Sequence, residues 1–284
     1  MVAETKALAA RAVEHRAQVP GVGQIARRVA AAPAFRRTII LIVLAATWEA
    51  AAAYQARPIV LPGFIETMRA LLEAMRDDGL LRSAWASITI LLKGYAAAIL
   101  IALVLVSAAN VSLWVREALS LVTAMLNPLP AIALLPLAML WFGLGETALL
   151  FVLVHSVLWP FALAALSGFQ TVPETLRLVG RNYGLSGPNY VVRILIPAAL
   201  PALISGLKIG WAFAWRTLIA AELIFGVTSQ QSGLGWFIFR NRNELLTDKV
   251  FAGLITVIAI GLFVELAVFR SIEHATIRRW GMQR

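Results

Sequence analysis

Six predominantly apolar stretches, at 38–56, 87–108, 118–142, 147–169, 198–225 and 250–269, limit what this chain can fold into more than any other feature. A helix crosses the hydrocarbon core of a bilayer with about 20 consecutive apolar residues, and it satisfies its own backbone polar groups where no water is available. The expected fold is therefore an all-α membrane protein with six transmembrane helices. A soluble domain is excluded by composition. With 60% of residues apolar, 14% charged and a mean hydropathy of +0.80, the chain has too little polar surface to cover a water-facing globule. Cysteine is absent, which removes disulfides and thiolate metal sites.

The positive charges set the orientation. Lys6, Arg11, Arg16, Arg27, Arg28, Arg36 and Arg37 precede or open the first stretch, and Arg270, Arg278, Arg279 and Arg284 follow the last. Lys and Arg accumulate on the cytoplasmic side of membrane proteins, so both termini are expected there. The loop after the fourth stretch carries Arg177, Arg181, Arg193 and Lys208 against Glu174 and is assigned to the same side. Between the first two stretches, Arg57, Arg69, Arg76 and Arg82 are balanced by Glu66, Glu73, Asp77 and Asp78, which suits the outside. The net charge of +10 is read in this way, as topology, and not as a nucleic-acid surface. The first 37 residues are polar and basic, not a short charged start followed at once by an apolar run, so the first span is expected to be retained. The chain then divides into a basic cytoplasmic tail (1–37), a six-helix domain (38–270) with a cytoplasmic loop at 171–197, and a cytoplasmic C-terminal tail (271–284).

That loop is not a simple linker. In "TVPE", Thr171 stands three residues before Glu174 in the pattern of a capping box, with Pro173 in the first turn. The short helix so begun is expected to stop at Gly184, where a left-handed C-cap is easy for glycine. Leu176, Val179 and Tyr183 form an apolar seam, with Arg177 and Arg181 on another face. "SGP", which includes Ser186, turns the chain into a second amphipathic piece through Val191, Ile194 and Leu195, and Pro197 opens the next span. A helical hairpin results. Local physics leaves two readings open: a helix lying on the membrane surface and one docked on a partner.

The spacing within this loop resembles the EAA loop of ABC-importer permeases. Gly184, nine residues on to Arg193, and "ILIP" ending at Pro197 fall in place, with Gly180 four residues ahead of Gly184. Leu178 stands where the family usually carries an acid. "NPLPAIALLPLAMLWFGLGE" (127–146), "GLKIGWAFAWRTLIAAEL" (206–223) and "GLGWFI" are similar to the nitrate/sulfonate/taurine/bicarbonate-type permeases, and the likeness runs from about Trp48 to Trp280. The resemblance implies the type I importer permease fold. It also implies a coupling helix that meets a separate ATPase, with Glu174, Arg177, Gly180, Arg181, Gly184, Ser186, Ile194 and Pro197 as the coupling residues. Implied partners are two ATPase subunits, an extracytoplasmic substrate-binding protein and a second copy of the chain, within membrane lipid. ATP and Mg would belong to the partner, with no cofactor in this chain.

Several residues within the spans are candidates for the translocation path. Asn127, Pro128 and Pro130, with Pro136, interrupt the third span and free backbone carbonyls, either against the path or in a kinked packing helix. Arg216 lies inside the fifth span, where an unpartnered charge costs roughly 2.5–3.5 kcal/mol in lipid. It is read as an anion contact, against a structural pair with Glu222. Glu222 itself is either a gate or a snorkelling acid. His155 either bonds across helices or lines a cavity, and Trp211 and Trp215 either support a substrate tail or pack. Glu49 is expected to pair with another helix, while Lys93 snorkels to the outer interface.

No GxxxxGK[ST] cradle occurs, and His15, His155 and His274 are scattered, so the chain carries no ATPase motif and no enzyme signature. A secondary transporter is the rival reading, since broken spans also mark carriers, and within the importer reading an aromatic or vitamin-precursor substrate is the alternative to a small anion such as a sulfonate, taurine or nitrate. Six spans without a visible internal repeat favour the permease.

Overall fold

The computed structural model describes residues 33–225 and 233–278, all helix and turn. The tail before residue 33, with five of its seven basic residues, lies outside them, as do Arg279 and Arg284. The described residues fall in two compact units, one up to residue 57 together with 63–65, the other comprising 58–62 and 66 onward.

The first unit holds α1 (Pro33–Gln55). Ala56, at φ 48°, ends it. Near the end of α1, Trp48 meets Phe64 edge-on at 5.6 Å, and Glu49 accepts the Ile65 N–H at 3.2 Å. Glu49 thus meets another helix, as expected, through a backbone amide in the first turn of Phe64–Arg76.

The second unit is built on α3 (Leu80–Val111), α6 (Glu146–Gln170) and α9 (Leu200–Phe225), which pack on one another around the apolar core. Small residues set their separation. A Cβ on Gly206 would lie 2.7 Å from Ala164 Cβ, one on Gly168 2.6 Å from Ala202 Cβ, and one on Gly94 2.7 Å from Leu153 Cβ. Without a hydrophobic force between helices in lipid, such close backbone approach supplies the packing. At one end of α6, Glu146 pairs with Lys93 of α3 at 2.6 Å. The snorkelling lysine therefore has a partner.

Four helices are long and apolar enough to cross a membrane unbroken, at Phe35–Gln55, Leu80–Val111, Glu146–Gln170 and Thr247–Thr276, and the number rises to six if two bent pairs each count as a span. The expected third span is one of these pairs. Its helix α4 (Leu113–Leu126), opened by the Ser112 hydroxyl accepting the Val115 N–H at 3.5 Å, stops at the prolines. A 3-10 turn (Ala131–Leu134) and α5 (Leu135–Phe142) follow at 90°. The expected fifth span is preceded by α8 (Gly187–Ala198), which contains a π turn at Val191–Leu195 and meets α9 at 81°. Lys208, counted above with the loop, sits on α9 and bridges Glu273 at 2.5 Å and Glu265 at 3.4 Å. Both acids lie just beyond α11 (Thr247–Phe263), on its helical continuation to Thr276.

Besides the helices of the 171–197 loop, two described helices have no counterpart in the apolar stretches. α2 (Phe64–Arg76) buries Thr67, Ala70 and Ala74 along one face, with Glu66 in its first turn and Arg76 in its last, as the helix dipole favours. α10 (Leu234–Asn243) lies between the last two spans.

Candidate functional site

In the loop, α7 (Glu174–Asn182) ends as the glycine predicts. Gly184 has φ 70°; its N–H donates to Arg181 O at 2.9 Å, and Leu185 N–H donates to Gly180 O at 3.0 Å. These two bonds form a Schellman motif and satisfy carbonyls that the helix end would otherwise leave open. Gly180 is buried where α7 meets the returning helix of the hairpin, α8. A Cβ there would lie 2.8 Å from Ile194 Cγ1 and 3.0 Å from Tyr190 Cε2. Gly180 and Ile194 are therefore brought together by packing, with Pro197 further along α8.

The start of α7 differs from the capping-box expectation. Thr171 ends α6, its hydroxyl donates back to Gly168 O at 3.0 Å, and Pro173 precedes α7 without a side-chain cap. The anchor is Arg177. Its Nε donates to Val172 O at 3.1 Å and its Nη2 to Phe169 O at 2.5 Å, so one guanidinium holds the α6–α7 corner. Glu174 stands 3.8 Å from Arg177 Nε. Leu176, Leu178, Val179 and Tyr183 are exposed, as are Arg181 and Ser186.

The second candidate region forms at the break of the third span. Asn127, Pro128 and Pro130 line a cavity of about 250 Å3 together with His155, Phe213 and Thr217. His155 Nδ1 accepts a hydrogen bond from Trp159 Nε1 at 3.0 Å, one turn away, while its buried Nε2 has no partner of hydrogen-bond geometry. Arg216 lies beside the cavity wall: its guanidinium is 5.1 Å from the Phe213 ring centroid, and its Nε donates to Ala212 O at 2.9 Å. Arg216 is exposed and makes no ion pair among the described residues. The pair with Glu222 is not formed.

Three expected path residues go elsewhere. Glu222 is only 5% exposed. Ser87 Oγ lies 2.8 Å from both its carboxylate oxygens, Gly235 N–H donates to Oε2 at 2.8 Å, and Leu234 N–H donates to Ser87 Oγ at 2.8 Å. A carboxylate at the N-terminus of α10 complements the helix dipole and its free amides. Glu222 is thus a buried tie between α3, α9 and α10, neither a snorkelling acid nor a lining group. Side chains at Gly233 or Gly235 would strike it. Trp211 and Trp215 are also buried, stacked at 6.4 Å; Trp211 meets Tyr95 edge-on at 5.8 Å, and Trp215 Nε1 donates to Val257 O at 3.2 Å. They pack α9 against α3 and α11. Ser87 and Thr217 went unread because a hydroxyl on an apolar helix gives no pattern in one sequence.

Among the described residues no group of three His, Asp or Glu is placed to hold a metal. Residues 94–271 match the family described as binding-protein-dependent transport system inner membrane component. The chain is 30% identical over 234 residues to the taurine transport system permease protein TauC of Escherichia coli K12, covering 81% of this chain and 84% of that protein. It is 32% identical over 189 residues to the nitrate import permease protein NrtB of Synechocystis, covering 66% and 67%. Over 156 residues it is 32% identical to the putative aliphatic sulfonates transport permease protein SsuC of Escherichia coli K12, covering 55% and 58%. With the membrane-length helices and the glycine-ended loop, these matches establish that the chain belongs to the binding-protein-dependent transport system inner membrane components, as an ABC transporter permease.

Proposed function

We propose that this chain is the transmembrane subunit of an ATP-driven importer of a small oxyanion, working as an identical pair with two ATPase subunits and an extracytoplasmic binding protein. The observation that carries the reading is the α7 hairpin. It is rigidly closed by the Schellman motif and the Gly180–Ile194 contact, yet it leaves Leu176, Leu178, Val179 and Tyr183 exposed. Apolar side chains on a fixed helix in a basic loop suit burial in a cleft of a soluble partner. Leu178, at the position of the motif acid, supplies an apolar contact where an acidic one is usual.

In this reading the chain crosses the membrane six times with both termini in the cytoplasm, so that the hairpin faces the ATPase; the basic residues in and around the loop support that orientation. ATP and Mg are held by the ATPase. The substrate class rests on the relatives named for taurine, nitrate and sulfonates, and on Arg216 beside the cavity at the broken span. There Arg216 meets the anion, with His155, Asn127 and the carbonyls freed at Pro128 and Pro130 facing the same space.

Copurification tests the docking. The full chain coexpressed with its ATPase should yield a complex with two copies of each, and replacing Leu176 and Val179 together with Asp should release the ATPase without loss of membrane insertion. A complex unaffected by those substitutions would put the interface elsewhere.

A further inference from the structure

Beside the α6–α7 corner the fold leaves a cavity of about 310 Å3, lined by Asn110 from the end of α3, Arg116 from α4, Arg177 and Arg181 from α7, Ser186, and Tyr190 from α8. No acidic side chain lines it. Two of the three guanidinium groups are fixed by backbone carbonyls, Arg116 Nε on Ala109 O at 3.2 Å and Arg177 on Val172 and Phe169. Arg181 makes no ion pair among the described residues, while Glu174, largely exposed and 3.8 Å from Arg177, faces an adjoining cavity that Arg116 and Arg177 also line. The Tyr190 hydroxyl, on a residue 9% exposed, has no hydrogen-bond partner.

Three guanidinium groups around one cavity repel, and none relieves this by losing a proton, because arginine stays charged. An anion between them removes the repulsion. Their planar forks match a tetrahedral oxyanion, while the Asn110 amide and the Ser186 and Tyr190 hydroxyls add neutral donors. We propose that this cavity binds one small oxyanion of the sulfate or phosphate type and thereby ties the α3–α4 corner to α7. The group is carried either by a free ion or by a phospholipid headgroup. Binding holds whether or not the loop docks on an ATPase.

The probe is sodium sulfate, added to the purified, delipidated full chain, with sodium chloride at matched ionic strength as reference. Thermal unfolding should show a saturable rise in Tm with sulfate that chloride does not give. Arg116→Gln with Arg181→Gln should weaken the apparent sulfate affinity by about tenfold or more, the effect of losing charge-assisted hydrogen bonds. Arg181→Lys, a milder change that keeps the charge and loses the fork, should give an intermediate affinity, and Arg193→Gln, outside the cavity, the wild-type one. Short-chain phosphatidylglycerol, added at submicellar concentration to the delipidated chain in neutral detergent, lowers the apparent sulfate affinity if the headgroup is the natural occupant, and an unchanged affinity identifies the free ion. A sulfate response equal to chloride's, or one unaltered by the double substitution and by Arg181→Lys, overturns the proposal.

Discussion

Gly184 is held at φ 70°, where any side chain with a Cβ costs about 1–2 kcal/mol. Gly184→Val is therefore expected to leave insertion intact, since the glycine closes a loop and not a span, while ATPase association and transport fall. Wild-type association in that variant would remove the loop's role. Glu222 makes a different kind of prediction. Glu222→Ala strips the acceptor from Gly235 N–H and Ser87, and each buried group left unpaired costs about 1–3 kcal/mol. Ser87→Ala breaks the same tie, so the two substitutions should be less than additive in thermal unfolding, and additive losses would show that the tie is not a unit. Arg216→Gln keeps polar contacts but removes the charge beside the cavity. Uptake of an anionic substrate should drop more than basal ATPase activity does. Unchanged uptake by a folded variant would leave Arg216 a structural residue.

At the scale of the helices, the α6–α9 seam depends on glycine for proximity. Gly206→Val would push against Ala164 and Phe161 and is expected to lower stability by about 1–3 kcal/mol, read as less monodisperse protein after extraction. Gly145→Ala, which meets nothing within 4 Å at an extended φ of 170°, should behave as wild type. The long helices were legible because hydropathy over about 20 residues is a strong signal. The prolines marked where the third span breaks, but its 90° bend depends on packing against α6 that no local pattern encodes. α2 and α10 are shorter and partly polar, so they fall below a membrane-span criterion. The same limit explains the loop. Gly184 acts through its own backbone angle and was readable, whereas Thr171, a good N-cap by type, is drawn into the end of α6. Around the path, Asn127, Pro128, Pro130 and His155 do share a cavity, but Trp211, Trp215 and Glu222 turn inward. Which face of an apolar helix points to the core is set by its neighbours.

At the scale of the whole molecule, the proposed function couples the membrane domain to an ATPase outside the chain through the exposed hairpin. That coupling separates an ABC importer from a carrier of similar span number. The most direct measurement is uptake of labelled substrate into proteoliposomes containing this chain, its ATPase and its binding protein, compared with an ATPase whose catalytic residue has been replaced. Uptake should require both ATP and the intact ATPase and fall to the level of empty vesicles with the dead one. Uptake that persists with the dead ATPase would make the chain a carrier and not an ABC permease.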